Sequence, residues 1–196
     1  MFLNSLASAI ISFKSVTESI TTGLNPRDNF ELSKDAPYYY VTIRNFKDGK
    51  LYLDDNCDRI DISAWKIIQS RSSLENGDIL FASISKDAQA YILEDFPTNW
   101  NINESVFAIR GNKNVVTNKY LYYSLINPEY YKDLRIDATG TTFQSIKQKK
   151  LKDSYFPIPP LPTQQRIAAQ GQQRQRHGEG DHVDQHHRNQ GEEGGE

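Results

Sequence analysis

The sequence predicts an α+β domain: short strands first, then helices, then a proline-punctuated exit. Two short runs, Tyr38-Tyr39-Tyr40-Val41-Thr42-Ile43 and Ile79-Leu80-Phe81-Ala82-Ser83-Ile84, are β-branched, aromatic or aliphatic and bounded by turn residues. Residues 115–126 and 129–136 read as two helices parted by Asn127-Pro128. Pro157-Ile158-Pro159-Pro160-Leu161-Pro162 then leads into a short helical stretch. No segment repeats at a fixed period.

The elements follow in order. Leu6, Ile10, Phe13, Val16 and Ile20 stand at helical spacing, which predicts an amphipathic helix over 4–22 that stops before Gly23. A loop rich in Asn, Asp and Pro covers 23–37. After the Tyr38–Ile43 strand, Asp48-Gly49 marks a type I′ hairpin with Leu51-Tyr52-Leu53 returning. A short helix is expected around Trp65, from Ile62 to Ile68. Asn76-Gly77-Asp78 turns into the strand at Ile79, and Gln89–Leu93 is its expected neighbour. Ser105–Arg110 is a further strand, ended by Gly111-Asn112. A polar loop spans Thr139–Ser145, a short strand precedes Pro157, and Thr163 is the expected N-cap of a helix beginning at Gln164.

The 196 residues divide into two compositions. After residue 169 the chain holds six of the eleven glycines, all four histidines (His177, His182, His186, His187) and one apolar side chain, Val183. Such a stretch buries too little to offset its chain entropy and is expected to be a disordered polar tail. The expected division is a domain over 1–162, a helix start over 163–169, and the tail over 170–196. No run approaches the ~18 apolar residues of a membrane span, and the apolar start lacks a basic flank and cleavage site, so a cytoplasmic protein is expected.

Residues 1–169 contain no histidine, which excludes Ser-His-Asp, Cys-His and HExxH chemistry there. The single cysteine, Cys57, stands among Asp55, Asn56 and Asp58, a poor setting for an activated thiolate. Neither GxGxxG nor GxxxxGK[ST] occurs, so no cofactor in the usual nucleotide cradles is expected in this chain. Asn127-Pro128-Glu129-Tyr130 resembles the Asn-Pro-Pro-Tyr motif of amino-methyltransferases but carries Glu for the second proline, and Asn-Pro is an ordinary helix start. Asp54, Asp55, Asp58 and Asp61 leave open a magnesium-dependent nuclease as an alternative.

Cations and amides cluster at expected loop tips. Arg44, Lys47 and Lys50 flank the hairpin beneath Tyr38 and Tyr40; Lys86 ends a strand; Arg110 and Lys113 flank a turn; Thr141, Thr142, Gln144 and Lys147 belong to the polar loop. Such groups neutralise phosphates or read base edges, but charged loops are more often simply solvated; it is the family resemblance given below that makes these twelve the candidate DNA contacts.

Four ordered stretches resemble the specificity subunit of Type I restriction-modification enzymes. Tyr155-Phe156-Pro157-Ile158-Pro159-Pro160-Leu161-Pro162-Thr163-Gln164-Gln165-Arg166-Ile167 resembles the family's exit from a target-recognition domain into a long spacer helix. Gly77-Asp78-Ile79-Leu80-Phe81 resembles its central strand, Ala138–Ile146 its Gly-Ser/Thr loop, and Tyr39–Lys50 its aromatic strand and turn. The resemblance covers about residues 15–169.

It implies a non-catalytic chain that recognises double-stranded DNA by sequence. The implied partners are a methyltransferase subunit, which uses S-adenosylmethionine, and a restriction subunit, which uses ATP and Mg. Members usually carry two recognition domains joined by coiled helices, so a second domain or half-subunit is a further implied partner. Here the heptads expected after Ala169 are replaced by Gln-Gly-Gln-Gln-Arg-Gln-Arg-His-Gly, which suggests a shifted reading frame and a monomer with weak DNA affinity. A fragment that only competes for the methyltransferase subunit is a second alternative.

Overall fold

The computed structural model describes residues 8–95, 97–136, 140 and 145–189, with the side chains described as far as 175. Two sheets lie at its centre. The larger is antiparallel and orders β2 (Thr17–Thr22), β10 (Val106–Gly111), β7 (Ile79–Ala82) and β8 (Ala90–Ile92). Beside it, β3 (Tyr38–Val41) pairs antiparallel with β6 (Arg59–Ile60) and parallel with β9 (Trp100–Ile102). The remaining strands make two small ribbons, β1 (Ala9–Ser12) with β11 (Tyr155–Ile158) and β4 (Phe46–Lys47) with β5 (Lys50–Leu51).

Helix α1 (Ile62–Ser72) covers the outer face of the smaller sheet, where Ala64 and Ile68 meet Tyr40 and Ile60. Val41, Trp100 and Ile102 point the other way, onto Leu80, Val106 and Ala108 of the larger sheet. The far face of that sheet presents Ile20, Ile79, Phe81 and Ile109 to α2 (Asn118–Leu125), α3 (Pro128–Arg135) and α4 (Gln148–Asp153). The larger sheet is therefore buried on both faces, which explains why β7 is an unbroken apolar run whose four residues are all buried.

Local chemistry sets the ends of these elements. Asp48 and Gly49 have φ of 52° and 71°, the two left-handed positions of a type I′ turn. Asp61 caps α1 by accepting from the Ala64 amide at 2.8 Å, so this acid serves helix formation. Asn127 caps α3 by accepting from the amides of Glu129 and Tyr130, with Pro128 at the first helical position. The Asn-Pro-Glu-Tyr stretch is thus a helix start.

Three expectations are corrected. Residues 9–22 are β1, a 3-10 turn over Phe13–Ser15 and β2, not part of a helix. A spacing of four is also a multiple of two, so Ile20 suits a strand as well as a helix, and the β-branched residues of Thr17–Thr22 favour the strand, with Val16 capping the 3-10 turn before it. The last helix, α5 (Leu161–Asn189), starts before Thr163 and continues past Ala169. Its first turn closes on the Pro160 carbonyl, which accepts from the amides of Thr163 and Gln164. Finally, β6, β9 and α4 were not anticipated; two are short strands and the third is a lysine-rich turn pinned by the buried Leu151.

Helix α5 is docked by polar contacts where no apolar stripe exists. Gly171 lies so close to Tyr123 that a Cβ there would stand 2.6 Å from the ring. One turn on, Gln175 accepts from the Tyr123 hydroxyl at 2.9 Å and donates to the Tyr122 hydroxyl at 3.1 Å. Gln and Arg, frequent beyond Ala169, are good helix formers.

Gln164 anchors the start of the same helix. Fully buried, it accepts from the Thr117 amide and donates to the carbonyls of Val115 and Pro159, all at 2.9 Å. This one amide ties α5 to the N-terminus of α2. Gln164→Ala is expected to cost about 2 kcal/mol, because it strands a buried donor and two acceptors. Gln164→Glu is expected to cost more, since a carboxylate cannot donate to the two carbonyls. Urea unfolding tests this; an unchanged midpoint in both variants would contradict it.

Candidate nucleic-acid interface

Three backbone carbonyls of the β7–β8 turn are held by the chain that follows α2. Ser83 accepts from the Ile146 amide at 2.8 Å, Ser85 from the Tyr131 hydroxyl at 2.8 Å, and Lys86 from Arg135 Nη1 at 3.3 Å. The turn, the end of α3 and the start of α4 therefore form one unit. Two candidate cations, Lys86 and Lys147, are exposed on it. Thr141, Thr142 and Gln144 lie outside the described residues.

The same unit contains two cations the sequence analysis passed over. Lys132 and Arg135 lie three residues apart in the last turn of α3 and share a helix face. With Lys86, Asp87 and Tyr131 they line a cavity of about 400 Å³. Their basic i, i+3 spacing beside a polar loop was the available signal.

A second set of cations surrounds the β4–β5 hairpin. Lys47 and Lys50 pair directly across its turn, and both are exposed. The tip rests against α2: a Cβ on Gly49 would stand 2.7 Å from the Tyr122 hydroxyl oxygen. Arg44 is 77% exposed and forms a 2.8 Å ion pair with Asp58. Lys113 is exposed at a groove that includes Thr117, Gln165 and Gln172, beside the first turns of α5.

Three candidates have other work. Tyr40 is buried at 2% exposure, and its hydroxyl donates to the Leu24 carbonyl at 2.6 Å, so it belongs to the core. Burial first, then the charge and hydrogen bond of Glu104, push that phenol well above its usual pKa and keep it neutral. Tyr38 is half-buried and stacked on Trp65, with ring centroids 5.4 Å apart. Arg110 spends its guanidinium inside the protein: Nε and Nη2 clasp Asp78 at 2.8 and 2.9 Å, Nη1 meets Glu75, and Nη2 also reaches the Ser73 carbonyl. The hydrogen bonds it donates to Asp78 outweigh desolvation and, with the charges of Asp78, Glu75 and Glu18, hold its pKa above the usual value.

The acids once open to a magnesium reading are separately engaged. Asp58 pairs with Arg44, Asp61 caps α1, and Asp54 accepts from the Asn56 amide. Among the described residues, no group of three or more His, Cys, Asp or Glu could hold a metal ion. Among them, too, no helix is long and apolar enough to cross a membrane.

Comparison with known proteins agrees with this architecture. The chain is 30% identical over 166 residues to a protein of Methanocaldococcus jannaschii named as the specificity subunit of type I restriction enzyme MjaX. That match takes in 79% of this chain and 36% of the relative, so the chain spans little more than a third of its relative's length. Its fold is similar to a chain solved in work on complex assembly and conformational transition of the type I R-M system, with TM-score 0.59 and 19% identity over 89% of this chain and 40% of that one. It is also similar to the HsdS subunit of Thermoanaerobacter tengcongensis, with TM-score 0.55 and 18% identity over 89% of this chain and 38% of that one. The family model for the Type I restriction modification DNA specificity domain matches residues 10–170, which take in both sheets, α1 to α4 and the docked start of α5, and the chain belongs to that family.

Proposed function

We propose that this chain is a DNA-reading domain of a Type I restriction-modification system, recognising double-stranded DNA by sequence and carrying no catalytic group of its own. It directs a methyltransferase subunit, which uses S-adenosylmethionine to methylate adenine, and a restriction subunit, which uses ATP and Mg. A second recognition domain, on another chain or a further segment, completes the bipartite site. Beyond family membership, the observation that carries this reading is the unit in which the carbonyls of the β7–β8 turn are tied to the end of α3 and the start of α4, with Lys86 and Lys147 both exposed on it. Phosphate contacts of this kind orient a protein on duplex DNA, while neighbouring polar side chains read the bases.

The test is a fluorescence-anisotropy titration of a random-sequence duplex pool at several salt concentrations, with and without a methyltransferase subunit. If about four phosphates are neutralised, affinity is expected to fall about a hundredfold between 50 and 200 mM salt. Addition of the methyltransferase subunit is expected to narrow the bound pool to one sequence class. Failure to bind in either condition would refute the reading.

A further inference from the structure

The cavity between the end of α3 and the β7–β8 turn is lined by Arg135, a side chain with one unsatisfied donor behind the cavity wall. Arg135 Nε is buried without a hydrogen-bond partner, the one side-chain nitrogen or oxygen in that state among the described residues. Its guanidinium is otherwise well held. Nη1 donates to the Lys86 carbonyl at 3.3 Å, and the group lies over the Tyr131 ring, 5.6 Å from its centroid. Tyr131 is itself fastened by its hydroxyl to the Ser85 carbonyl. A planar cation is thus oriented in advance while one of its donors stays unmet. Buried polar groups in folded proteins are otherwise nearly always paired, and an exception points to a missing partner.

The surroundings specify that partner. Lys86 and Lys132 line the same cavity and are exposed, and Asp87 is the acid on its wall. Three cations against one carboxylate favour an anion. Guanidinium groups bind tetrahedral oxyanions through a fixed fork of donors, with lysines adding point charges. We propose that this cavity seats one phosphodiester of bound duplex DNA, with Arg135 as the oriented donor and Lys86 and Lys132 as flanking charges. The proposal rests on the DNA-reading function above and deepens it: it names the ligand group and adds Arg135 and Lys132 to the candidate contacts.

Two measurements test it. In the first, the Arg135 Nε–H resonance, assigned by its loss in Arg135→Lys, is followed while inorganic phosphate replaces chloride at constant ionic strength, with acetate as the comparison anion. A saturable shift with phosphate that exceeds the acetate shift is expected. An equal response to acetate, or no response to phosphate, would overturn the proposal. In the second, duplex affinity is measured against salt for the wild type, Arg135→Ala and Lys132→Gln. Each variant is expected to bind several-fold to tenfold more weakly across all sequences, with the salt slope reduced by about 1.

Lys132→Gln alters an exposed side chain, so a folding defect in Arg135→Ala would not mask the result. Unchanged slopes in both variants, with a wild type that binds duplex DNA, would overturn the cavity's role and leave the DNA-reading function standing. A wild type that shows the phosphate shift but binds no duplex would refute the DNA-reading function, and with it the phosphodiester as ligand.

Discussion

Gly23→Ala is expected to cost at least about 4 kcal/mol, at the extreme of single substitutions. A Cβ on Gly23 would stand 1.7 Å from the carbonyl oxygen of Ile102 and 2.5 Å from its carbonyl carbon. Both atoms are backbone of β9, so no side chain can swing aside. The contact is also tied: the Gly23 amide donates to Asn103, and the Gly23 carbonyl accepts from Arg71 Nε on α1. Relief would require separating the end of β2 from β9, and with it the two sheets whose shared core includes Ile102 and Leu80. For a chain of this size the loss corresponds to a drop in Tm of about 10 °C or more. Gly140→Ala is the control. Gly140 has φ of 82° but nothing within 4 Å of its Cβ position, so only the local strain of about 1 kcal/mol is expected. Urea unfolding at constant m value measures both. Equal, small losses would mean that β2 and β9 do not approach this closely.

Arg110→Ala is expected to cost about 3 kcal/mol, because it leaves Asp78 buried at 3% side-chain exposure without its cation. The guanidinium is 21% exposed, which keeps the loss below that of a fully buried pair. The same side chain closes the 73–78 turn through the Ser73 carbonyl and Glu75, and Ser73 has the unusual φ of 23°. Arg110→Lys restores the charge without the fork and is expected to recover less than half of the loss. The experiment also separates two roles. A folded Arg110→Ala, held well below its Tm, is expected to bind duplex DNA with an unchanged salt slope. A slope reduced by about 1 with little loss of stability would make Arg110 a phosphate contact instead.

The candidate interface was partly legible for a simple reason. Lys86 and Lys147 stand beside residues whose turn chemistry is local, so loop positions could be read directly. Tyr40 and Arg110 could not be read that way. Tyr40 and Tyr39 are neighbours on one strand, yet the first faces α1 and the second the inter-sheet core. Arg110 looks like any cation before a turn until Asp78, far away in sequence, is brought to 2.8 Å. Lys132 and Arg135 gain meaning only because the carbonyls of Ser85 and Lys86 draw α3 onto the β7–β8 turn.

By itself the sequence determined what depends on adjacent residues: the type I′ turn at Asp48-Gly49, the capped start of α3 at Asn127-Pro128, the apolar β7 run and the family resemblance. Tertiary structure decided what depends on distant partners. Ile20 suits a helix or a strand by spacing, and pairing of β2 with β10 selects the strand. Trp100–Ile102 is too short to declare itself, and parallel pairing with β3 makes it β9. Helix α5 lacks an apolar stripe, and its docking comes from Gln164, Gly171 and Gln175 against α2. Turn and cap geometries are set by covalent neighbours, whereas pairing, burial and the satisfaction of buried polar groups are set by whichever distant segment supplies the missing partner.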